Sequence, residues 1–341
     1  MPCYRPAAMV DTHLKTDKGK RYLRYFPTYD WDLNKDNPDV FPVPCGRCRG
    51  CRLDYSKQWA DRCMMELKDH DSAYFVTLTY DDFHVPLSYV GLADTGEALP
   101  VQTLRKRDLQ LFFKRLRKSF PADHIRYFAS GEYGSTSLRP HYHAILFGLH
   151  LTDLQLYEER TQGSYFLSPA LQRVWSSKEA RPGGLVGETC VTPLAPIGQV
   201  IVGECTHDSC AYVARYTAKK ENQYCREFYD LNNIEPPFVV MSRRPGIGRN
   251  YYDSHPDIMN YEYINVSTPE GGIKFHPPPY FERLYAEEDP DGSAARKARR
   301  AEQARSSLEI KMSYTSMSYN RQLAVEEDKR ENRTKILRRS L

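Results

Sequence analysis

The segment Arg139-Pro140-His141-Tyr142-His143-Ala144-Ile145-Leu146-Phe147 constrains this chain more than any other. Read as a strand, it turns residues two apart toward the same side, so both imidazoles share one face beside an apolar run. Two imidazoles so placed form a natural metal site. Glu132 precedes His141 by nine residues, at the end of the preceding strand signal (Ile125–Ser130). A hairpin turning through Gly131, Gly134 and Ser135 can return its carboxylate beside the histidines as a third ligand. A histidine pair at a strand end also occurs as plain surface, so His-x-His alone leaves both readings open.

The rest of the pattern calls for a sheet with helices on it. Phe75-Val76-Thr77-Leu78-Thr79-Tyr80 is β-branched and aromatic and closes on Asp81-Asp82, as strands do. Tyr55, Trp59, Cys63 and Leu67 recur at helical spacing over 54–70. Thr103 reads as the N-cap of a helix over 104–118, and 86–102 reads as a loop. Further helices are expected near 168–177 and over 209–222. The expectation is an α/β (α+β) chain with a central, mostly antiparallel sheet, the histidines on its middle strand. Three parts are expected: a cysteine-bearing N-terminal extension (1–74) irregular over its first 44 residues, a central domain (75–255), and a charged helical or partly disordered tail (256–341).

Charge and composition narrow the function. The chain has 341 residues, 48 Lys and Arg against 44 Asp and Glu, and a net charge of +4. Any nucleic-acid surface must therefore come from local clustering. The predicted helix 104–118 supplies it, with Arg105, Lys106, Arg107, Lys114, Arg115, Arg117 and Lys118 against the lone acid Asp108. No apolar run approaches the ~18 residues of a membrane span, and the start Met1-Pro2-Cys3-Tyr4-Arg5 has no secretory core. Nine cysteines without such a signal favour free thiols or metal ligands over disulfides. Cys45, Cys48 and Cys51 lie within seven residues and Cys63 follows twelve later, giving a candidate four-sulfur zinc site. Three close cysteines also occur as buried thiols. Cys205, His207 and Cys210 form a weaker, structural-looking cluster. Arg243, Arg244, Gly246, Gly248 and Arg249 make a basic loop suited to phosphates through charge and exposed amides, or a solvated turn.

The segment Ala211-Tyr212-Val213-Ala214-Arg215-Tyr216-Thr217-Ala218-Lys219-Lys220 places Tyr212 and Tyr216 four apart, neighbours on one helical face. A phenol ionises near pH 10, so a nucleophilic tyrosine needs a metal or cations nearby. Arg215, Lys219 and Lys220 are at hand. Taken alone, the spacing is that of a helix burying two tyrosines.

In combination and in this order, the strand 75–82, His141-Tyr142-His143 with its preceding carboxylate, and Tyr-x-x-x-Tyr-x-x-Lys resemble the three motifs of the HUH endonucleases, specifically the rolling-circle replication initiators. The chain is most similar to the initiators of small single-stranded DNA bacteriophages, the gokushovirus-like Microviridae. The Cys45–Cys51 cluster, Gly131-Glu132-Tyr133-Gly134 and Ser242-Arg243-Arg244-Pro245-Gly246-Ile247-Gly248 extend the likeness over residues 40–255.

The resemblance implies a metal-dependent nickase and strand transferase. Mg²⁺ or Mn²⁺ would sit on His141, His143 and Glu132. Tyr212 and Tyr216, assisted by Lys219 and Lys220, would form a 5′-phosphotyrosyl link. Tyr216, one turn from both lysines, is favoured for the first attack. Lys114, Arg115, Lys118, Arg243, Arg244 and Arg249 would hold single-stranded origin DNA. No Gly-x-x-x-x-Gly-Lys-Ser/Thr occurs, so unwinding falls to a host helicase and synthesis to a host polymerase, in the bacterial cytoplasm. Two other readings stand beside this one. A plasmid mobilisation relaxase shares the chemistry but usually carries its tyrosines before the histidines. A non-catalytic, zinc-containing nucleic-acid-binding protein needs only the cysteines and the basic helix.

Overall fold

The structure, a computed structural model, describes all residues except 1–2, 18, 20, 35, 92–95, 135, 161–162, 178–194, 216–222, 269–270 and 340–341. The chain divides into two compact units, one of residues 1–55 with 278–341 and one of residues 56–277. No helix among the described residues is long and apolar enough to cross a membrane.

The first unit contains a three-stranded antiparallel sheet in which Ala7–Lys15 lies between Arg21–Phe26 and Val40–Val43. This departs from the irregular structure expected of the first 44 residues. All six residues of Arg21–Phe26 are exposed, so no apolar alternation marked the strand. The same unit holds the helices Pro279–Glu288, Pro290–Ser313 and Tyr319–Arg339. Arg296 and Arg300 both reach Glu282 (3.4 and 2.7 Å), and Asp289 caps the second helix through the Gly292 N–H (2.9 Å).

The second unit is built on a seven-stranded sheet: β1 (Ala73–Thr79), β2 (Arg126–Tyr133), β3 (Pro140–Phe147), β4 (Gln155–Arg160), β5 (Gly163–Leu167), β6 (Val200–Glu204) and β7 (Phe238–Met241). Its spatial order is β7-β2-β3-β1-β6-β5-β4, with every pairing antiparallel. The histidine strand β3 thus lies between β2 and β1, with helices on both faces. One face carries Val76, Leu78, Ala129, Tyr142, Ala144 and Leu146 against α2 (Lys106–Ser119) and α3 (Pro169–Val174). Helix α2 meets it through Leu109, Phe112, Phe113 and Leu116, the i, i+3, i+4, i+7 stripe of a surface helix. The other face carries Phe128, Ile145 and Phe147. It packs on Ala60, Cys63 and Met64 of α1 (Arg49–Leu67) and on Cys210, Val213 and Ala214 of α4 (His207–Arg215).

Two local readings are corrected. Residues 86–102 contain an antiparallel hairpin, Leu87–Gly91 with Ala98–Gln102. Helix α2 is not capped by Thr103. Its first N–H, from Lys106, donates to the Glu235 carboxylate (3.1 Å), while the Thr103 hydroxyl accepts the Glu235 N–H (2.9 Å). A partner 129 residues away leaves no mark in the local sequence.

Tyr142, between the two histidines in sequence, points away from them into the core. Its hydroxyl accepts the Arg105 N–H (3.0 Å) and lies 2.8 Å from the Tyr80 hydroxyl, which donates to Asp108 (2.8 Å). Burial raises the pKa of both phenols. Tyr142→Phe strips a partner from buried groups at a cost of about 1–3 kcal/mol. Urea denaturation should show that loss, with divalent-ion titrations unchanged, because the hydroxyl lies on the opposite face of the sheet from His141 and His143.

Candidate metal and tyrosine site

The antiparallel register builds the site. Glu132 on β2 pairs with His141 on β3, Ser130 with His143, and on the far side Thr77 and Thr79 of β1 pair with His143 and His141. All these side chains therefore face the same way. Nε2 of His141 lies 3.2 Å and Nε2 of His143 2.8 Å from Oε1 of Glu132. The candidate ligand atoms of the three residues lie within 4.8 Å of one another.

The other ring nitrogens are engaged. Nδ1 of His141 donates to the Arg139 carbonyl (3.1 Å), and Nδ1 of His143 is 3.0 Å from the Thr77 hydroxyl. A proton on Nδ1 of each ring would leave the Nε2 lone pairs for an ion shared with Glu132, the tautomer a metal ligand needs. His143 is buried and stacks on Phe75 (5.3 Å, 13°). Burial lowers its pKa, opposed in part by Glu132, and so favours the neutral imidazole. Two imidazoles and a carboxylate suit a divalent ion bound through nitrogen and oxygen, and the donor set fits Mn²⁺ or Mg²⁺ in its oxygen and Mn²⁺ better in its nitrogens.

Helix α4 crosses this face. Ser56 of α1 donates to the Ala211 carbonyl (3.1 Å), and His207 reaches Asp61 (3.4 Å). Tyr212 is 36% exposed and sets its ring edge-on to His143 (5.0 Å, 87°) and Phe75 (6.2 Å, 84°). Its hydroxyl is 3.5 Å from Glu132 Oε1. Tyr212 is thus brought to the histidines and the glutamate, whereas Tyr216, Lys219 and Lys220 lie outside the described residues.

The basic residues divide between the faces. Lys114 and Lys118 are exposed on α2, and Arg115 donates to the Val174 carbonyl (2.8 Å), so all three belong to the side of the sheet opposite the histidines. The Ser242–Arg249 loop lies on the histidine side, with Ile247 in the core against α1. There Arg243 and Arg244 are exposed, while Arg249 pairs with Asp253 (2.8 Å).

Sequence reasoning missed what holds that loop. Arg62 donates twice to the Ile247 carbonyl (2.8 and 3.1 Å), and the fully buried Glu66 accepts Gly248 N–H (2.6 Å), Arg126 Nε and His70. A carboxylate at helical position 66 looks like an ordinary helix residue until the fold brings Gly248 to it. Thr77 was likewise visible only as a strand former.

The sulfurs group differently from the expectation. Cys45, Cys48 and Cys51 are joined by Cys3, all four within 4.8 Å of one another. Cys63 is fully buried with Cys210 in the second unit's core, because it sits on the inward stripe of α1 with Ala60 and Met64.

The chain is 31% identical to the replication-associated protein ORF2 of Spiroplasma virus 4, over all of this chain and 98% of that one. The chain belongs to the replication-associated protein family. The family model for replication-associated protein ORF2/G2P matches residues 73–221, from the first residue of β1 past both tyrosines. The replication-associated protein VP4 of Bdellovibrio phage phiMH2K is 26% identical over 74% of this chain and 70% of its own length. ORF4 of Chlamydia phage 1, a further replication-associated protein, is 27% identical over 63% of this chain and 48% of its own. No solved structure matches the chain.

Glu66 offers a test of the loop's anchorage. Burial opposes its ionisation, yet hydrogen bonds from His70, Arg126 and Gly248 hold its pKa below the ordinary 4.5. A depressed folded-state value gives stability that is fully present above pH 4.5 and fades as the pH falls through the folded-state value. Glu66→Ala strands the Arg126 charge and the Gly248 N–H, and should cost about 3–5 kcal/mol near neutrality. In urea titrations the gap from wild type should narrow as the pH falls below 4.5.

Proposed function

We propose that this replication-associated protein initiates rolling-circle replication by nicking single-stranded DNA at the origin and later rejoining the strand ends. The observation that carries the reading is the Tyr212 hydroxyl lying 3.5 Å from Glu132 Oε1, beside the His141 and His143 rings. A phenol placed against two imidazoles and a carboxylate has the elements of phosphoryl transfer to tyrosine.

His141, His143 and Glu132 would hold Mg²⁺ or Mn²⁺, which supplies Lewis-acid polarisation of the scissile phosphate. The Tyr212 oxygen attacks phosphorus, the P–O3′ bond breaks, and the departing 3′-oxygen takes a proton. The phenol gives its own proton to solvent as it attacks, and its 3.5 Å approach to Glu132 Oε1 sets the Tyr212 oxygen beside the residues that would hold the ion. The product is a 5′-phosphotyrosyl ester and a free 3′-hydroxyl. That ester keeps the energy of the broken bond, so joining by attack of a 3′-hydroxyl needs no nucleotide. Tyr216, one turn along the sequence from Tyr212, would attack the next junction while the first tyrosine holds the parental end, with Lys219 and Lys220 favouring its phenolate. The lysines make Tyr216 the sequence choice for first attack; in this proposal Tyr212, whose hydroxyl lies beside Glu132, is the first nucleophile instead. Arg243 and Arg244 would guide the DNA backbone on the histidine face, and Lys114, Arg115 and Lys118 would contact phosphates beyond it. A host helicase and polymerase would complete replication in the bacterial cytoplasm.

Incubation with circular single-stranded viral DNA and Mn²⁺, followed by mass spectrometry of the linked peptide, tests the reading. The adduct should map to Tyr212 in a first round, and Tyr212→Phe with Tyr216→Phe should form none. An adduct on Tyr216 alone would reverse the order of attack. Adduct formation by the double variant would remove the tyrosine mechanism, and no adduct under any condition would favour a non-catalytic binding protein.

Thr77 supplies a second, independent check. Thr77→Val keeps the volume but removes the partner of His143 Nδ1, and losses of this kind typically weaken metal affinity about 10–100-fold. Calorimetric Mn²⁺ titration should show such a drop, and wild-type affinity would mean that Thr77 does not orient the ring.

A further inference from the structure

We infer that Cys3, Cys45, Cys48 and Cys51 form a tetrathiolate zinc site, separate from the histidine site and with Cys3 as its fourth ligand. All four sulfurs lie within 4.8 Å of one another. Four sulfurs around one zinc at about 2.3 Å would stand roughly 3.8 Å apart, and Cys48 Sγ is already 3.9 Å from Cys3 Sγ. That spread is close to what a single tetrahedral ion would impose on four sulfurs.

Backbone amides converge on the same atoms. The Cys45 N–H donates to Cys3 Sγ, the Cys48 N–H to Cys45 Sγ and the Tyr4 N–H to Cys48 Sγ, each at 3.3 Å. Cys51 takes a backbone hydrogen bond from Gly46. Amide donors stabilise thiolate, the form that binds metal, and they fix where each sulfur points. Gly46 adopts φ 71°, the left-handed conformation that lets the chain turn between Cys45 and Cys48. Thiolates select zinc over the hard ions suited to the carboxylate and imidazoles. On binding, Zn²⁺ displaces the thiol protons to solvent with no change of oxidation state.

The fold gives such a staple a purpose. The loop closed between Cys3 and Cys45 contains the whole three-stranded sheet, whose Ala7–Lys15 strand buries only Ala7 and Ala8 and whose Arg21–Phe26 strand buries nothing. Sheets with so little core are commonly secured by metals or disulfides.

The test uses the full-length protein carrying His141→Ala and His143→Ala, so that failure of the nicking site cannot be confused with failure of this one. Purified from a zinc-supplemented culture, it should carry one zinc per chain by elemental analysis. Cobalt substitution should give the visible absorption of tetrahedral thiolate coordination. Cys63→Ser should keep both signals, and Cys3→Ser should lose its zinc to a chelator concentration that the parent withstands. A parent protein without zinc and with reduced thiols, or with the four cysteines paired as disulfides, would overturn the inference. So would loss of zinc in Cys63→Ser with retention in Cys3→Ser. Should Cys3→Ser not fold, the zinc count and cobalt spectrum of the parent and of Cys63→Ser decide alone.

Discussion

The antiparallel register between β2 and β3 is the constraint on which the candidate site depends. It sets Glu132 across from His141 and Ser130 across from His143. Side chains alternate with a period of two, so a slip of β3 by one residue would bury the histidines among Leu109, Phe112 and Leu116 and leave Glu132 alone on the other face. Such a slip is resisted from both sides of β3. Tyr142, Ala144 and Leu146 fill the core under α2, while Ile145 and Phe147 fill the core under α1 and α4. The packing that stabilises the sheet therefore also fixes the donor atoms.

The same alternation separates two tasks. One face of β3 is closed by aromatic packing and by the Tyr80, Tyr142 and Asp108 hydrogen bonds. The other carries polar groups only toward the Pro140 end of the strand, where α4 brings Tyr212, and becomes apolar from Ile145 onward. A residue pair so close in sequence as His141 and Tyr142 thus serves unrelated ends, and substitutions in the His-Tyr-His triplet report on chemistry or on stability according to parity alone.

Much of this was legible in the sequence, and the parts that were not share a cause. The strands 75–80 and 139–147, the carboxylate at 132 and the helix bearing Tyr212 all carry local signals: β-branching, period-two spacing, turn glycines and helical repeats. What escaped were partners supplied from far along the chain. Glu235 caps α2, Thr77 meets His143, Glu66 grips Gly248 and Cys3 joins the sulfurs of residues 45–51. Cys63 misled because its distance from Cys51 along the chain suggested a ligand, while its helical phase beside Ala60 and Met64 made it core. The exposed strand Arg21–Phe26 misled in the opposite sense, having no buried face to leave a pattern.

The two clusters differ in chemistry as well as in position. At the histidine site the donors are two imidazoles and one carboxylate, with His143 held toward its neutral form by burial. A buried acidic group beside neutral rings is an uneven charge distribution that a divalent cation evens out, and the mixed nitrogen and oxygen donors leave coordination positions for phosphate oxygens. Four sulfurs closing on one point leave no such position. An open site beside a tyrosine is suited to a reaction in which substrate must enter and leave, and a closed one is suited to holding the chain. The proposed division between a catalytic ion and a structural one thus follows from the donor atoms, with no appeal to which metal is abundant.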